Sequence, residues 1–220
     1  MVKRAMDLYE HRHLNPSYIK ESIELLERVL SKEPNNEEAL WGLSRNYYAC
    51  GDTTKDKKER LRLYEKGKEY AERLIEINEK NPEGHFWFAV NYGRIGQTKG
   101  VIRSLFMVPR IRKEFNRALE LNPNHTGALD GLGVLYYTLP KIAGGDIKKS
   151  IQYLERANRI DPNYTLIYID LAKGYMKLKE YKKAKELLNK MLSIKNPTHP
   201  ADFILKDKPE ALRLLRKLEK

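Results

Sequence analysis

The feature that most constrains this sequence is an internal repeat, whose first half pairs a small residue with a downstream aromatic. The aromatic recurs four times along the chain, at Tyr47-Tyr48, Tyr92, Tyr136-Tyr137 and Tyr175. Each aromatic follows a Leu or Phe with a small residue after it, at Leu43-Ser44, Phe88-Ala89, Leu132-Gly133 and Leu171-Ala172. A small side chain one turn before the aromatic lets the next helix approach closely, while the larger neighbours fill the seam.

The second half of each repeat ends in a proline-asparagine turn. Asn116–Asn124 and Glu155–Asn163 are near copies of each other, and Pro34 and Pro197 end two further segments of the same kind. Proline stops a helix, and the asparagine beside it offers turn and capping chemistry for the next one. The pattern therefore predicts a chain of antiparallel helix pairs.

These units resemble tetratricopeptide repeats (TPRs), which are helix–turn–helix units of 34 residues. The resemblance implies an all-α fold, a TPR-like α-solenoid in which about five antiparallel helix pairs form a right-handed superhelix. We predict a single domain over 1-220, with pairs at roughly 5-36, 37-80, 81-124, 125-163 and 164-196. A capping helix over 209-218 follows, with Pro209 at its start and Asp207 as its N-cap.

Most of the units are longer than the family repeat, and the extra residues fall between the first and second helix of a pair. They are Thr53–Leu63, Gln97–Pro109 and Lys141–Asp146. In the last of these, Gly144-Gly145 is typical of a tight reversal, and Asp146 is positioned to cap a helix beginning at Ile147. No strand precedes these glycines and no Lys-Ser or Lys-Thr follows, so we do not interpret them as a phosphate loop.

Two segments narrow the resemblance further. The first is Phe86–Arg94, which precedes a long insertion. The second is Tyr136–Pro140, followed by Gly144–Asp146 and Ser150–Leu154. Both segments resemble those of two groups of proteins. These groups are the regulator-of-microtubule-dynamics proteins and the bacterial T-component lipoproteins of TRAP transporters. The second group implies an accessory ligand-binding component of a solute transporter. This sequence shows no lipoprotein leader, so we expect a cytoplasmic protein if Met1 is the native start and a periplasmic lipoprotein if a leader has been removed.

In such a solenoid the first helices line the concave face, and a helical wheel selects the residues that point into it. The selected residues are Trp41, Arg45, Tyr48, Phe86, Val90, Arg94, Asp130, Val134, Tyr137, Ile169, Lys173 and Met176. Aromatic and apolar side chains with a few cations suit a peptide, a helix or an amphipathic ligand, and Arg45 and Arg94 could hold a carboxylate. The alternative is that inserted helices cover this face and turn it into ordinary core.

A second candidate surface lies in the Val101–Val108 segment. Val101, Ile102, Leu105 and Phe106 share one apolar helical face, which Ile111 and Phe115 continue beyond Pro109. This face must be covered by the chain's own repeat, by a second copy or by a membrane surface. We expect burial within the chain first and self-association into a homo-oligomer second.

The sequence offers no support for catalysis, a cofactor or a metal. Cys50 is the only cysteine, and the five histidines, His11, His13, His85, His125 and His199, show no ligand spacing. No serine lies in a hydrolase elbow, and nothing singles out a pair of carboxylates for acid–base work. We therefore expect a protein that is not an enzyme, with no catalytic, cofactor-binding or metal-binding residues.

The net charge of +12, from 42 Lys and Arg against 30 Asp and Glu, is unevenly spread, since residues 111–220 hold nine of the excess charges. The basic residues have no repeat register, which argues against nucleic acid and leaves an acidic protein partner or an anionic lipid as the expectation. The scarcity of Gln, at Gln97 and Gln152 only, beside abundant Lys and Glu favours a thermophilic source. No stretch approaches the ~20 apolar residues of a transmembrane segment.

Together these observations predict a non-enzymatic protein–protein interaction module, a scaffold that binds a peptide or helix in its concave groove. The first alternative is the transporter component described above. The second alternative is an RNA-binding helical repeat.

Overall fold

The structure is a computed structural model that describes residues 1–219, and all the regular elements in that range are helical. The α-helices are α1 Val2–Glu10, α2 Tyr18–Lys32, α3 Glu37–Thr53, α4 Lys57–Ile77, α5 Pro82–Lys99, α6 Val101–Leu121, α7 Thr126–Thr138, α8 Ile147–Ile160, α9 Thr165–Lys177, α10 Tyr181–Leu192, α11 Pro200–Asp202 and α12 Lys208–Leu218. A short 3₁₀ turn at Lys141–Ala143 precedes α8, and a π-helical turn at Phe203–Asp207 joins α11 to α12. The all-α, TPR-like class predicted from the sequence is confirmed.

Contacts between helices divide the chain into two compact units, Met1–Pro123 (unit 1) and Asn124–Lys220 (unit 2). Each unit consists of successive helix pairs, α1–α6 in the first and α7–α12 in the second. That the whole chain forms one domain stays a prediction.

The same hydrogen bond closes the first helix pair of unit 1 and the first pair of unit 2. Ser22 Oγ donates to the Ala5 carbonyl at 2.7 Å, and Ser150 Oγ donates to the Gly133 carbonyl at 2.7 Å. In both pairs the donor follows the acceptor by 17 residues, so the repeat preserves its register in the two units. The small residue is needed, because a Cβ at Gly133 would lie 2.5 Å from the Leu154 side chain.

Unit 1 contains apolar clusters and a buried histidine–glutamate pair. A core cluster between α1 and α4 comprises Ala5, Leu26, Val29, Ala39, Leu43, Tyr47 and Leu63. On α5, His85 Nδ1 lies 2.6 Å from Glu114 Oε2, and His85 Nε2 lies 2.8 Å from the Glu79 carbonyl oxygen. Burial lowers the pKa of His85, but the bonds to Glu114 and Glu79 outweigh it, so the pKa is raised overall.

The C-terminal helix packs against the main hydrophobic core of unit 2. Its main core cluster contains Tyr168, Ile169, Ala172, Ala184, Leu188, Met191, Ala211 and Leu214, which come from α9, α10 and α12. Helix α12 therefore covers the last apolar seam, as the predicted capping helix would. Asp207 stands at the N-cap position but makes no side-chain capping bond, and α11, the π turn and α12 run on without a break. The Asp207 carboxylate instead accepts a bond of 2.6 Å from Thr165 Oγ1 on α9.

The predicted insertions do not form separate elements in units 1 and 2, apart from the short turn before α8. Residues 53–63 divide among the end of α3, a three-residue link and the first turns of α4. Residues 97–109 join the end of α5 to the start of α6 through Gly100 alone, whose φ of 113° favours glycine. At Lys141–Asp146, Gly144 has a left-handed φ of 85°, and Asp146 accepts bonds from the Lys148 and Lys149 amides as predicted.

Candidate functional site

The predicted face of unit 1 forms a cluster of partly buried aromatic residues on α3 and α5. Trp41, Tyr48, Phe86 and Val90 all pack against the same buried trio of Ala71, Trp87 and Phe88. The rings of Tyr48 and Trp87 lie 5.7 Å apart, and those of Phe86 and Trp87 lie 4.9 Å apart with edge-to-face geometry. Unit 1 thus brings four of its predicted site residues into one patch.

Arg45 lies at the α1 edge of this patch, enclosed by rings and paired with a carboxylate. Its guanidinium lies 3.8 Å from the Tyr9 ring centroid and 5.0 Å from that of Trp41. Arg45 Nη1 donates to Glu10 Oε1 at 2.8 Å, and the residue is only 8% exposed. The chain itself therefore supplies the carboxylate that we had expected from a ligand.

Arg94 occupies the equivalent position on α5 and is more accessible. Its Nη2 lies 3.1 Å from Asp52 Oδ1 and donates to the Tyr48 hydroxyl at 3.1 Å. The side chain is 36% exposed, and Nη1 donates to Gln97 Oε1 at 3.1 Å. Together, Arg45 and Arg94 flank the aromatic patch with positive charge that internal carboxylates partly neutralise.

The predicted face of unit 2 has a different chemistry, because its centre is acidic. On α9, Asp170 accepts a 2.7 Å hydrogen bond from the Tyr137 hydroxyl on α7, and Lys173 Nζ lies 3.6 Å from the same carboxylate. Lys173 also lies 3.4 Å from Glu210 on α12. These contacts connect α7, α9 and α12, so Tyr137 and Lys173 stabilise the packing of unit 2.

Asp130 on α7 completes this acidic group. It is 7% exposed, and its Oδ1 has no hydrogen-bond partner among the residues that the structure describes. Burial, followed by the charges of Asp170 and Asp207, raises the pKa of Asp130 well above its usual range. The carboxyl group is thereby favoured in its neutral form, which a buried position requires.

The remaining predicted residues of unit 2 are Val134, Ile169 and Met176. Val134 is partly buried on α7, Met176 packs against the α9–α12 core cluster, and Ile169 is a member of that cluster with 1% exposure. Residues that the sequence did not single out, namely Tyr9, Glu10, Asp52, Trp87 and Asp170, contact the predicted ones in each unit. No repeat pattern marks them, because their partners lie in other helices.

Helix α6 contradicts our first expectation for the Val101–Val108 segment. Val101, Ile102 and Phe106 are 78%, 73% and 82% exposed, and Leu105 is 38% exposed. The later part of the same helix does pack inward, since Val108, Ile111 and Phe115 are buried. The four exposed side chains, together called the α6 surface, are not covered by their own repeat.

Three further features of the structure concern metal binding, membrane insertion and the Cys50 thiol. In residues 1–219, no three His, Cys, Asp or Glu side chains are grouped so that they could hold a metal ion. None of the helices in that range combines the length and the apolarity required to span a bilayer. Burial raises the pKa of the Cys50 thiol to about 11, which keeps the thiol protonated at neutral pH.

Comparisons with known proteins agree with this architecture. The chain is 30% identical over 178 residues to regulator of microtubule dynamics protein 1 of Bos taurus, covering 72% of this chain and 56% of the relative. It is 29% identical over 171 residues to the same protein of Pongo abelii, covering 70% and 54%. The chain therefore spans about half the length of these curated relatives.

Among solved structures, the thermophilic TPR protein TTC0263 of Thermus thermophilus superposes with a TM-score of 0.73 at 17% identity. That match covers 98% of this chain and all of the other, and it shows a shared fold. The family model of regulator of microtubule dynamics protein 1-3 matches residues 5–144 and 141–219. With its repeats, its helix pairs and these matches, the chain belongs to the regulator of microtubule dynamics family.

Proposed function

We propose that this chain is a non-enzymatic scaffold that binds a peptide or a helix of a protein partner on the α3–α5 face of unit 1. The observation that carries the proposal is the patch of Trp41, Tyr48, Phe86 and Val90, which stays partly exposed although its members are aromatic or apolar. Aromatic residues flanked by arginine are enriched where proteins bind proteins. The TPR-like fold and the family membership support the same class of function.

The charges around the patch favour a partner segment that is apolar with acidic positions. The Arg94 side chain is 36% exposed, and its guanidinium has donors beyond those given to Asp52, Tyr48 and Gln97. The net charge of +12 adds long-range attraction for such a partner, which speeds association more than it tightens binding. The relatives are named regulators of microtubule dynamics, so microtubules are the first macromolecular partner to test by co-sedimentation.

Selection of a phage-displayed peptide library on the immobilised full chain tests the proposal. Selected peptides should bind wild type, and Trp41→Ala should raise their dissociation constants about tenfold or more because it removes a central aromatic anchor. Arg94→Ala serves as a second variant, because it removes the charge at the edge of the patch and leaves the aromatic side chains in place. Ile142→Ser, at a residue 98% exposed in the turn before α8, is the matched control.

Equal affinity of the selected peptides for wild type and both variants would contradict the proposal, as would a failure to select any peptide. Loss of the helical circular dichroism signal in Trp41→Ala would show that this side chain belongs to the core. The peptide affinity of Arg94→Ala would then be the test of the proposal. Binding of single-stranded RNA that the same variants abolish would favour the RNA-binding alternative. Saturable binding of a small solute that they abolish would favour the transporter alternative.

A further inference from the structure

We propose that the α6 surface and the groove beside it form a contact surface between two copies of this chain. The surface is apolar and prominent, because Val101, Ile102 and Phe106 are each more than 70% exposed. Helix α6 is 21 residues long, and its exposed large apolar side chains all lie in its first two turns. Exposed apolar side chains at this density mark a contact site rather than ordinary surface.

A groove of about 710 Å³ lies directly beside these side chains, within unit 1. Helices α4, α5 and α6 line it, with Tyr92, Ile95 and Met107 as its apolar members and Ile102 and Phe106 at its α6 side. The same face therefore presents a protruding aromatic ring and a concave apolar site. A second copy can insert its Phe106 into this groove while its own groove receives the first copy's ring.

Backbone packing holds the protruding segment in place. Gly100 alone joins α5 to α6, with a φ of 113°. At Gly96 the two helices pass so closely that an added Cβ would lie 3.1 Å from Ser104 Cα and 2.9 Å from Met107 Sδ. The exposed side chains thus extend from a tightly packed helical hairpin, and a preorganised surface loses little conformational entropy on binding.

The charges around the groove are those that a self-complementary contact needs. Arg103 on α6 and Glu69 on α4 both line it, and neither forms an ion pair with any residue in the described range 1–219. Their neighbours are already paired, since Lys99 lies 3.1 Å from Glu65 and Lys68 lies 2.7 Å from Glu72. One unpaired cation and one unpaired anion therefore remain on a single patch.

This combination selects a second copy over other occupants. In a two-fold symmetric dimer the same patch must supply both members of every contact, so it needs a ring and a groove, and a cation and an anion. The apolar residues and the cation would also suit an anionic membrane surface, but such a surface would repel Glu69. The occupant that satisfies all four features is a second copy, with Arg103 of each chain paired to Glu69 of the other.

The full chain's mass in solution, measured by light scattering and sedimentation up to high micromolar concentration, tests the proposal. Wild type should approach twice the chain mass of 25.8 kDa. Phe106→Asp should raise the dimer dissociation constant about tenfold or more, because it places a carboxylate in an apolar contact. Ile142→Asp is the matched control, since Ile142 is 98% exposed and lies outside the surface. A monomeric wild type, or an unchanged dimer in Phe106→Asp, would overturn the proposal.

A charge reversal identifies the partner as a second copy in this arrangement. Arg103→Glu and Glu69→Arg should each weaken the dimer when alone, because each leaves two like-charge contacts. Mixing the two variants should restore wild-type affinity, since every contact in the mixed dimer then joins opposite charges. No recovery on mixing would overturn the proposed pairing. Binding to phosphatidylserine vesicles by a monomeric wild type, lost in Phe106→Asp, would assign the surface to a membrane instead.

Discussion

The two units use one repeat register to hold opposite chemistry on corresponding helices. In unit 1, α3 and α5 carry Arg45 and Arg94 above an aromatic patch, each paired with a carboxylate of its own unit. In unit 2, α7 and α9 carry Asp130 and Asp170, which are 7% and 4% exposed. The repeat therefore determines where a face lies, and the residues placed there determine what it can bind.

The two faces also differ in accessibility: the face of unit 1 is partly exposed, whereas the polar side chains on the face of unit 2 are bonded to one another. The aromatic patch of unit 1 remains partly exposed, with Arg94 accessible at its edge. In unit 2 the Tyr137 hydroxyl and Lys173 are both bound to Asp170, and Lys173 also reaches Glu210 on α12. We therefore place the proposed binding function on unit 1 and a structural role on the corresponding face of unit 2.

The largest expected effect is in unit 1. Arg45→Ala should destabilise it by about 3 kcal/mol, because the substitution removes the ring contacts and deprives the partly buried Glu10 of its cation. Urea unfolding followed by circular dichroism measures the change. Arg62→Ala is the control, since Arg62 is 63% exposed and pairs with Glu59 on the surface. A loss below that of the control would show that Arg45 does not organise this end of the patch.

In unit 2 the corresponding substitution should act in the opposite direction. Asp130→Asn should stabilise the protein by about 2 kcal/mol at pH 7, because the buried Asp130 must take up a proton on folding and an amide does not. The same urea titration measures it, with the exposed Glu186→Gln as control. Destabilisation by Asp130→Asn would mean that the carboxylate makes a necessary contact, and the contrast between the units would fail.

The smallest effect is the pH dependence that Asp207 gives to unit 2. Burial, and then the nearby Asp202 and Asp170 charges, raise the pKa of Asp207 to about 6 against the opposing bond from Thr165. A raised folded pKa means that the stabilisation is fully present below the unfolded value of about 3.9 and is lost as pH rises through about 6.

Hydrogen exchange in α9 and α12 should therefore show about 1 kcal/mol more protection at pH 5 than at pH 7, after correction for the intrinsic rate. Asp207→Asn should abolish this difference in α9 and α12. The helices of unit 1 should keep their own response, which the raised pKa of His85 governs. An identical pH response in wild type and Asp207→Asn would contradict the assignment.

Much of the fold was predictable from local sequence rules. The aromatic and small-residue repeat gave the helix pairs, and Asp146 caps α8 by accepting from two amides, as its position before Ile147 predicts. The lengthened helices were harder, since Gly100 looks like part of an insertion and is in fact a one-residue link between two long helices. Asp207 failed as a cap because Thr165, far away in sequence, holds its carboxylate inside the protein.

The candidate sites were less predictable, because they depend on contacts between helices that the repeat does not encode. Arg45 binds Glu10 across 35 residues, and no periodicity relates those two positions. The spacing of Val101, Ile102 and Phe106 identifies an apolar face, but it does not say whether a neighbouring helix extends far enough to cover it. Exposure of 82% at Phe106 is thus information that only the packed structure contains.

The central claim is that the α3–α5 face of unit 1 binds the partner, and the two tryptophans allow a direct test. Trp41 lies on that face, whereas Trp87 is 9% exposed and donates its indole hydrogen to Glu83. A ¹⁵N-correlated NMR titration with a selected peptide, with the indole signals assigned by Trp41→Phe, follows both rings at once. The account predicts a saturable shift of the Trp41 indole signal that is larger than that of Trp87. Saturable peptide binding that leaves the Trp41 signal unmoved would contradict it.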